Sequence, residues 1–191
     1  QQAAVRGIAG GRDDLAVPVA AGSGGGVFCW NSNPLFQYAN ISYNTSWNGA
    51  GIYGYSDSNP VLEAVTLCNN TSTQYSGGIF LNHGSSASLS NSIIRDNFPE
   101  EIYFESFEAG STQPQHLAIE YSNISGGQEG IVTNDNGTVE WGIGNIAVNP
   151  QFISAENNDY HLFANSNCIN AGHPDSTDSD SSRADMGAYP Y

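Results

Sequence analysis

Apolar residues alternate with polar ones over short stretches of this chain, and no window carries the roughly 3.6-residue spacing of an amphipathic helix. Each stretch is long enough for one short strand and no more. The stretches also recur. Aligning "PLFQYANISYN" (34 to 44) with "PVLEAVTLCNN" (60 to 70), "ASLSNSIIRDN" (87 to 97) and, more loosely, "HLAIEYSNISGG" (116 to 127) gives a period of 26 or 27 residues that stretches to 30. Ile41, Leu67, Ile94 and Ile124 then share one column, and Phe36, Leu62, Leu89 and Ile119 share another five residues earlier. A third column follows the glycines, with Val27, Ile52, Ile79, Ile102 and Ile131.

A repeat of this length with strand alternation predicts an all-β solenoid, in which each turn buries its apolar side only by stacking on its neighbours. Leucine-rich repeats have a similar period, but their LxxLxL core is missing. The three columns predict three short strands per rung, and the repeat region has room for roughly five to six rungs about 4.8 Å apart. Asn44, Asn70 and Asn97 fall three residues after one apolar column, where the chain must turn. Stacked asparagines there predict a side-chain ladder that hydrogen-bonds rung to rung and also satisfies turn backbone. The pairs Gly25–Gly26 and Gly77–Gly78 fit turns that need positive φ or close backbone approach.

Composition narrows the classes. The 191 residues suit one domain. The basic residues are Arg6, Arg12, Arg95 and Arg183, lysine is absent, and the formal charge is -15. Nucleic acid is excluded as an expected partner, because phosphate binding needs clustered cations. No apolar run approaches the roughly twenty residues of a membrane span. Cys29, Cys68 and Cys168 are odd in number and show no zinc spacing, so buried free thiols are expected and their pairing stays open.

The runs "GGGVFCWNSNP", "GAGIYGYSDSNP" and "SNISGG", followed by "NPQFISAENNDYHLFANSNCINAGHPD" and "RADMGAYPY", resemble the bacterial right-handed parallel β-helix proteins. Those have a pectate-lyase-like fold with polymorphic-outer-membrane-protein-type GGGIY repeats. The resemblance covers residues 24 to 191 and implies an exported, extracellular or cell-surface protein, with Gln1 a mature end after signal-peptide removal. It implies no single activity, because the superfamily includes polysaccharide lyases, glycosidases, adhesins and surface proteins. The expected organisation is an N-terminal extended arm over 1–22, the β-helix over 23–150 and a capping segment over 151–191 that closes the last rung.

Candidate chemistry is sparse. A lyase needs a base beside clustered carboxylates, and Arg95 is the one cation within the rungs. A glycosidase needs two carboxyl groups about 5 to 10 Å apart. Glu63 and Glu120 share an outward column two rungs apart with Ser90 between them, and are the weak catalytic candidates; solubilising surface acids are the plainer reading. His83, His116, His161 and His173 lack nucleophile partners or metal spacing and read as loop or surface residues. Asp175, Asp178, Asp180 and Asp185 in "HPDSTDSDSSRADMGAY" are the candidate calcium ligands, weighed against a solvated acidic loop; no other cofactor is expected. Six Asn-X-Ser/Thr sequons begin at Asn40, Asn44, Asn69, Asn70, Asn123 and Asn136; of these, Asn69 and Asn136 lie in turns and are the candidate glycosylation sites.

In the arm, Leu15, Val17 and Val19 alternate with small residues and read as an extended edge strand. A solenoid end must be capped or it recruits another chain, so this strand either folds back on its own first rung or crosses to a neighbour. The leading expectation is a non-catalytic structural or adhesive subunit that binds itself end to end through the arm. The alternative is a carbohydrate-binding module or carbohydrate-active enzyme, with glycans as partners and Trp30, Trp47, Tyr53, Tyr55 and Trp141 as stacking rings; against it, tyrosines and phenylalanines beside the glycine turns also stack on each other from rung to rung.

Overall fold

The three apolar columns become the three walls of a coil. The computed structural model describes residues 24–106 and 113–191, with the backbone of residues 14 and 15. The first wall stacks Val27–Trp30, Ile52–Tyr55, Ile79–Leu81, Ile102–Phe104 and Ile131–Val132. The second stacks Leu35–Gln37, Val61–Glu63, Ser86–Ser90, Gln115–Glu120 and Gly137–Trp141. The third stacks Asp14–Leu15 of the arm, Asn40–Ser42, Thr66–Cys68, Ile93–Arg95 and Asn123–Ile124. Pairing within every wall is parallel, so the chain is a parallel β-solenoid.

Register follows the repeat residue for residue. Ile41 pairs with Leu67, Leu67 with Ile94, and Ile94 with Ile124. Phe36, Leu62, Leu89 and Ile119 form the second stack, and Val27, Ile52, Ile79, Ile102 and Ile131 the first. All of these face one core and are buried, each contributing about 1.5 to 3 kcal/mol of transfer free energy. The coil has about four turns rather than five to six. The fifth turn has strands in the first two walls, but its third side forms no strand: it pairs with Asn123 through the isolated bridge at Ile146 and is clamped by the Asn123 side chain at Val148.

Corners are turned by single left-handed residues. Tyr38, Ala64, Asn91 and Tyr121 stand at the same corner of successive turns with φ between 45° and 53°, and Tyr43, Asn69 and Asp96 at the next with φ of 55° to 57°. The glycines answer a different need, close approach: a Cβ on Gly26 would press on the Asn44 amide, and one on Gly78 would collide with the Glu101 carbonyl of the turn above.

That vacant space holds the asparagine ladder. Asn44 Nδ2 donates to Asn70 Oδ1 at 2.9 Å, and Asn70 Nδ2 donates to Asn97 Oδ1 at 2.9 Å. The same Oδ1 atoms accept the backbone N–H of Asn44 and of Asn70, at 3.0 Å each. The fourth turn has Gly127 where the next asparagine would stand. Glu101 takes over, although its place in the repeat, just before Ile102, is held by glycine in the first three turns. Its Oε2 accepts Asn97 Nδ2 at 2.6 Å and Asn97 N–H at 3.3 Å. Burial pushes the Glu101 carboxyl up to about 7.

The C-terminal segment runs along the flank of the coil, over the outer face of the third wall. Its antiparallel hairpin, Phe152–Ser154 with Asp159–Leu162, leads a second core in which Tyr160, Leu162, Cys168 and Met186 pack on Cys68, Ile93 and Tyr121. It reaches the first four turns: Tyr43 OH donates to the Ala155 carbonyl, Asn69 Nδ2 to Tyr160 OH, Ala188 N–H to Thr66 Oγ1, His173 N–H to Asn91 Oδ1 and Asn123 Nδ2 to Cys168 Sγ. Its packing therefore staples successive turns together.

Candidate functional site

The two ends of the coil differ. At the first turn the inward side chains Val27, Phe36 and Ile41 are at most 1% exposed, and the arm strand Asp14–Leu15 pairs in parallel with Asn40–Ile41, with Leu15 opposite Ile41. This is the fold-back outcome for Leu15; Val17 and Val19 lie outside the described residues. At the last turn Ile131 is 8% exposed, Val139 and Trp141 are only half-buried, and Ile143 beyond them is 70% exposed. One end is closed and the other presents an apolar edge. The ladder has its own loose end at the first turn, where Asn44 Oδ1 is buried with no hydrogen bond.

The outer face of the second wall carries the acids. Glu63 pairs with Ser90 and Ser90 with Glu120, so the two glutamates stand two turns apart in one column, about 10 Å between backbones. Glu63 Oε2 accepts Gln37 Nε2 at 2.7 Å. Sequence reasoning missed Glu140, which pairs with Ala118 and stands across a shallow groove of about 230 Å³ from Glu120. The stretched repeat in the fourth turn hid that column. His116 Nε2 lies 3.8 Å from Glu140 Oε2, and its Nδ1 lies 3.0 Å from Thr138 Oγ1. Arg95 is on the third wall, where Nη1 donates to the Val148 carbonyl at 3.1 Å and Nε faces Asp96 at 3.5 Å. The base a lyase needs and the acid column thus lie on different walls.

The tail aspartates serve its backbone. Asp185 is 3% exposed, and its Oδ1 and Oδ2 accept the N–H groups of Asn170 and Tyr191, both at 2.6 Å. Asp178 Oδ2 accepts Asp185 N–H at 2.8 Å, and burial raises the Asp178 carboxyl. Asp180 accepts Ser182 N–H at 2.8 Å, and hydrogen bonding from Ser182 holds its carboxyl below the ordinary range. Asp175 uses its N–H to reach His173 Nδ1. Among the described residues no three metal-ligating side chains converge.

The candidate glycosylation sites are otherwise engaged. Asn136 is 4% exposed rather than open to solvent, and its Nδ2, the atom a sugar would occupy, donates to the Glu105 carbonyl at 2.8 Å. Asn69 gives its Nδ2 to Tyr160 OH at 2.9 Å. Cys29, Cys68 and Cys168 are free and buried. Of the aromatic candidates, Tyr53 is buried in an outward column with Phe28, Phe80 and Tyr103, whereas Trp30 and Trp47 are more than half exposed.

Comparison with models of protein families, with curated proteins and with solved structures finds no match to this chain. The fold rests on the pairing itself. Among the described residues no helix is long and apolar enough to cross a membrane.

Proposed function

We propose that this chain is a non-catalytic structural subunit that stacks end to end with copies of itself. The observation that carries the reading is the asymmetry of the two ends: a sealed first turn edged by the arm strand, and a last turn whose apolar residues Val139, Trp141 and Ile143 remain accessible. Strand Asp14–Leu15 uses one edge on its own first turn and ends that sheet. Its outer edge meets, on a neighbour's third wall, the segment at Ile146, which covers Asn123–Ile124 through an isolated bridge rather than as a strand. Parallel pairing there continues all three walls from one copy into the next. The glycine-aromatic repeats resembling those of bacterial surface proteins support an exported, cell-surface setting and kinship with the pectate-lyase-like β-helix group.

Light scattering of the full chain across a concentration series tests the proposal. Assembly that grows with concentration is expected, and it should fail both when residues 1–22 are removed and in the Ile143→Asp variant. A full chain that stays monomeric throughout, or assembly untouched by both changes, would reject it.

A further inference from the structure

We infer that the cleft between the third wall and the C-terminal hairpin is a binding site for a neutral sugar. The cleft is open and measures about 520 Å³, within the ordinary range of small-ligand sites. It holds both kinds of group that a pyranose uses. Phe163, 49% exposed, offers a ring for the apolar C–H face of the sugar, with Phe152 as a second wall. Planar polar residues, Gln151, Asn165 and Asp96, also line the cleft and carry the donors and acceptors that ring hydroxyls need. Among the described residues the side-chain amides of Gln151 and Asn165, both in the cleft lining, make no hydrogen bond within the chain.

The segment that carries the lining residues Asn149 and Gln151 is fixed in advance. Asn123 grips Val148 from both sides, with Nδ2 donating to its carbonyl at 3.0 Å and Oδ1 accepting its N–H at 3.2 Å. Arg95 Nη1 donates to the same carbonyl, and Ser166 Oγ donates to the Pro150 carbonyl. Gln151 is held at φ 57°, with its N–H on Asn149 Oδ1 and its carbonyl accepting Phe163 N–H. A preformed wall loses little freedom on binding. Charge sets the class of sugar: Asp96 and Glu156 outnumber Arg95, whose guanidinium already faces Asp96, so an acidic sugar is repelled and a neutral one is not.

The site does not depend on end-to-end assembly, and its test is separate. Saturation-transfer NMR and calorimetry on the full chain would use methyl glycosides of glucose, galactose, mannose and N-acetylglucosamine, with glucuronate and galacturonate as charged counterparts. At least one neutral glycoside should bind, with its uronate weaker. Phe163→Ala and Asn165→Ala, both at exposed positions, should each weaken binding about tenfold while circular dichroism stays unchanged. The inference falls if no neutral glycoside binds, if the uronates bind as well as the neutral sugars, or if Phe163→Ala binds like the parent chain.

Discussion

Replacing Glu101 with glutamine probes the top of the asparagine ladder. The glutamine carbonyl keeps the acceptor that Asn97 uses through its N–H and Nδ2 and removes the ionisable group. In the folded chain burial lifts the carboxyl from an ordinary 4.5 to about 7. A carboxyl raised in this way binds its proton more tightly folded than unfolded. Its stabilising contribution is therefore fully present below 4.5 and lost as pH rises through 7. At about 1.4 kcal/mol per pH unit, that interval corresponds to about 3 kcal/mol. Many other carboxylates titrate in this acidic chain, so the informative quantity is the difference between variant and parent. Urea unfolding at steps from pH 4 to pH 9, fitted for both chains, should show Glu101→Gln gaining on the parent by about 3 kcal/mol across the range, most of it between pH 5 and 8. A difference that stays flat with pH would refute the reasoning, because Glu101 would then titrate alike folded and unfolded.

Asn70→Ala should cost about 2 to 4 kcal/mol, since it strips the acceptor from two Asn44 donors and leaves the Asn97 oxygen and the Ile41 carbonyl without their amide; urea midpoints measure it. The three thiols should resist a disulfide reagent at pH 8 until denaturant unfolds the coil. Burial pushes Cys29 up to about 12 and raises Cys68 and Cys168 as well, and a thiol labelled in native buffer as fast as free cysteine would contradict this.

The columns were legible in the sequence because a parallel solenoid converts a repeat period directly into register. Ile41, Leu67, Ile94 and Ile124 needed only counting, and the Asn44, Asn70 and Asn97 ladder followed from it. Glu101 could have been found by the same counting, as the residue before Ile102 where earlier turns have glycine. The left-handed corners could not: Tyr38, Ala64 and Tyr121 are residues that seldom adopt positive φ, and stacking on adjacent turns holds them there. The course of residues 151–191 along the flank depends on partners as distant in sequence as Thr66 and Ala188, which no local pattern records. The cleft beside Phe163 lies on that flank and stayed hidden for the same reason. Glu63 and Glu120 were correctly placed in one column, but Glu140 entered only once the stretched fourth turn had its register.

The most direct test of the central claim is cryo-electron microscopy of the concentrated full chain. Rods are expected in which the strand spacing of about 4.8 Å runs unbroken across each junction, with Asp14–Leu15 of one copy lying between its own Asn40–Ile41 and the Ile146 segment of the next. Single coils with no junctions at any concentration, or rods joined flank to flank, would contradict it.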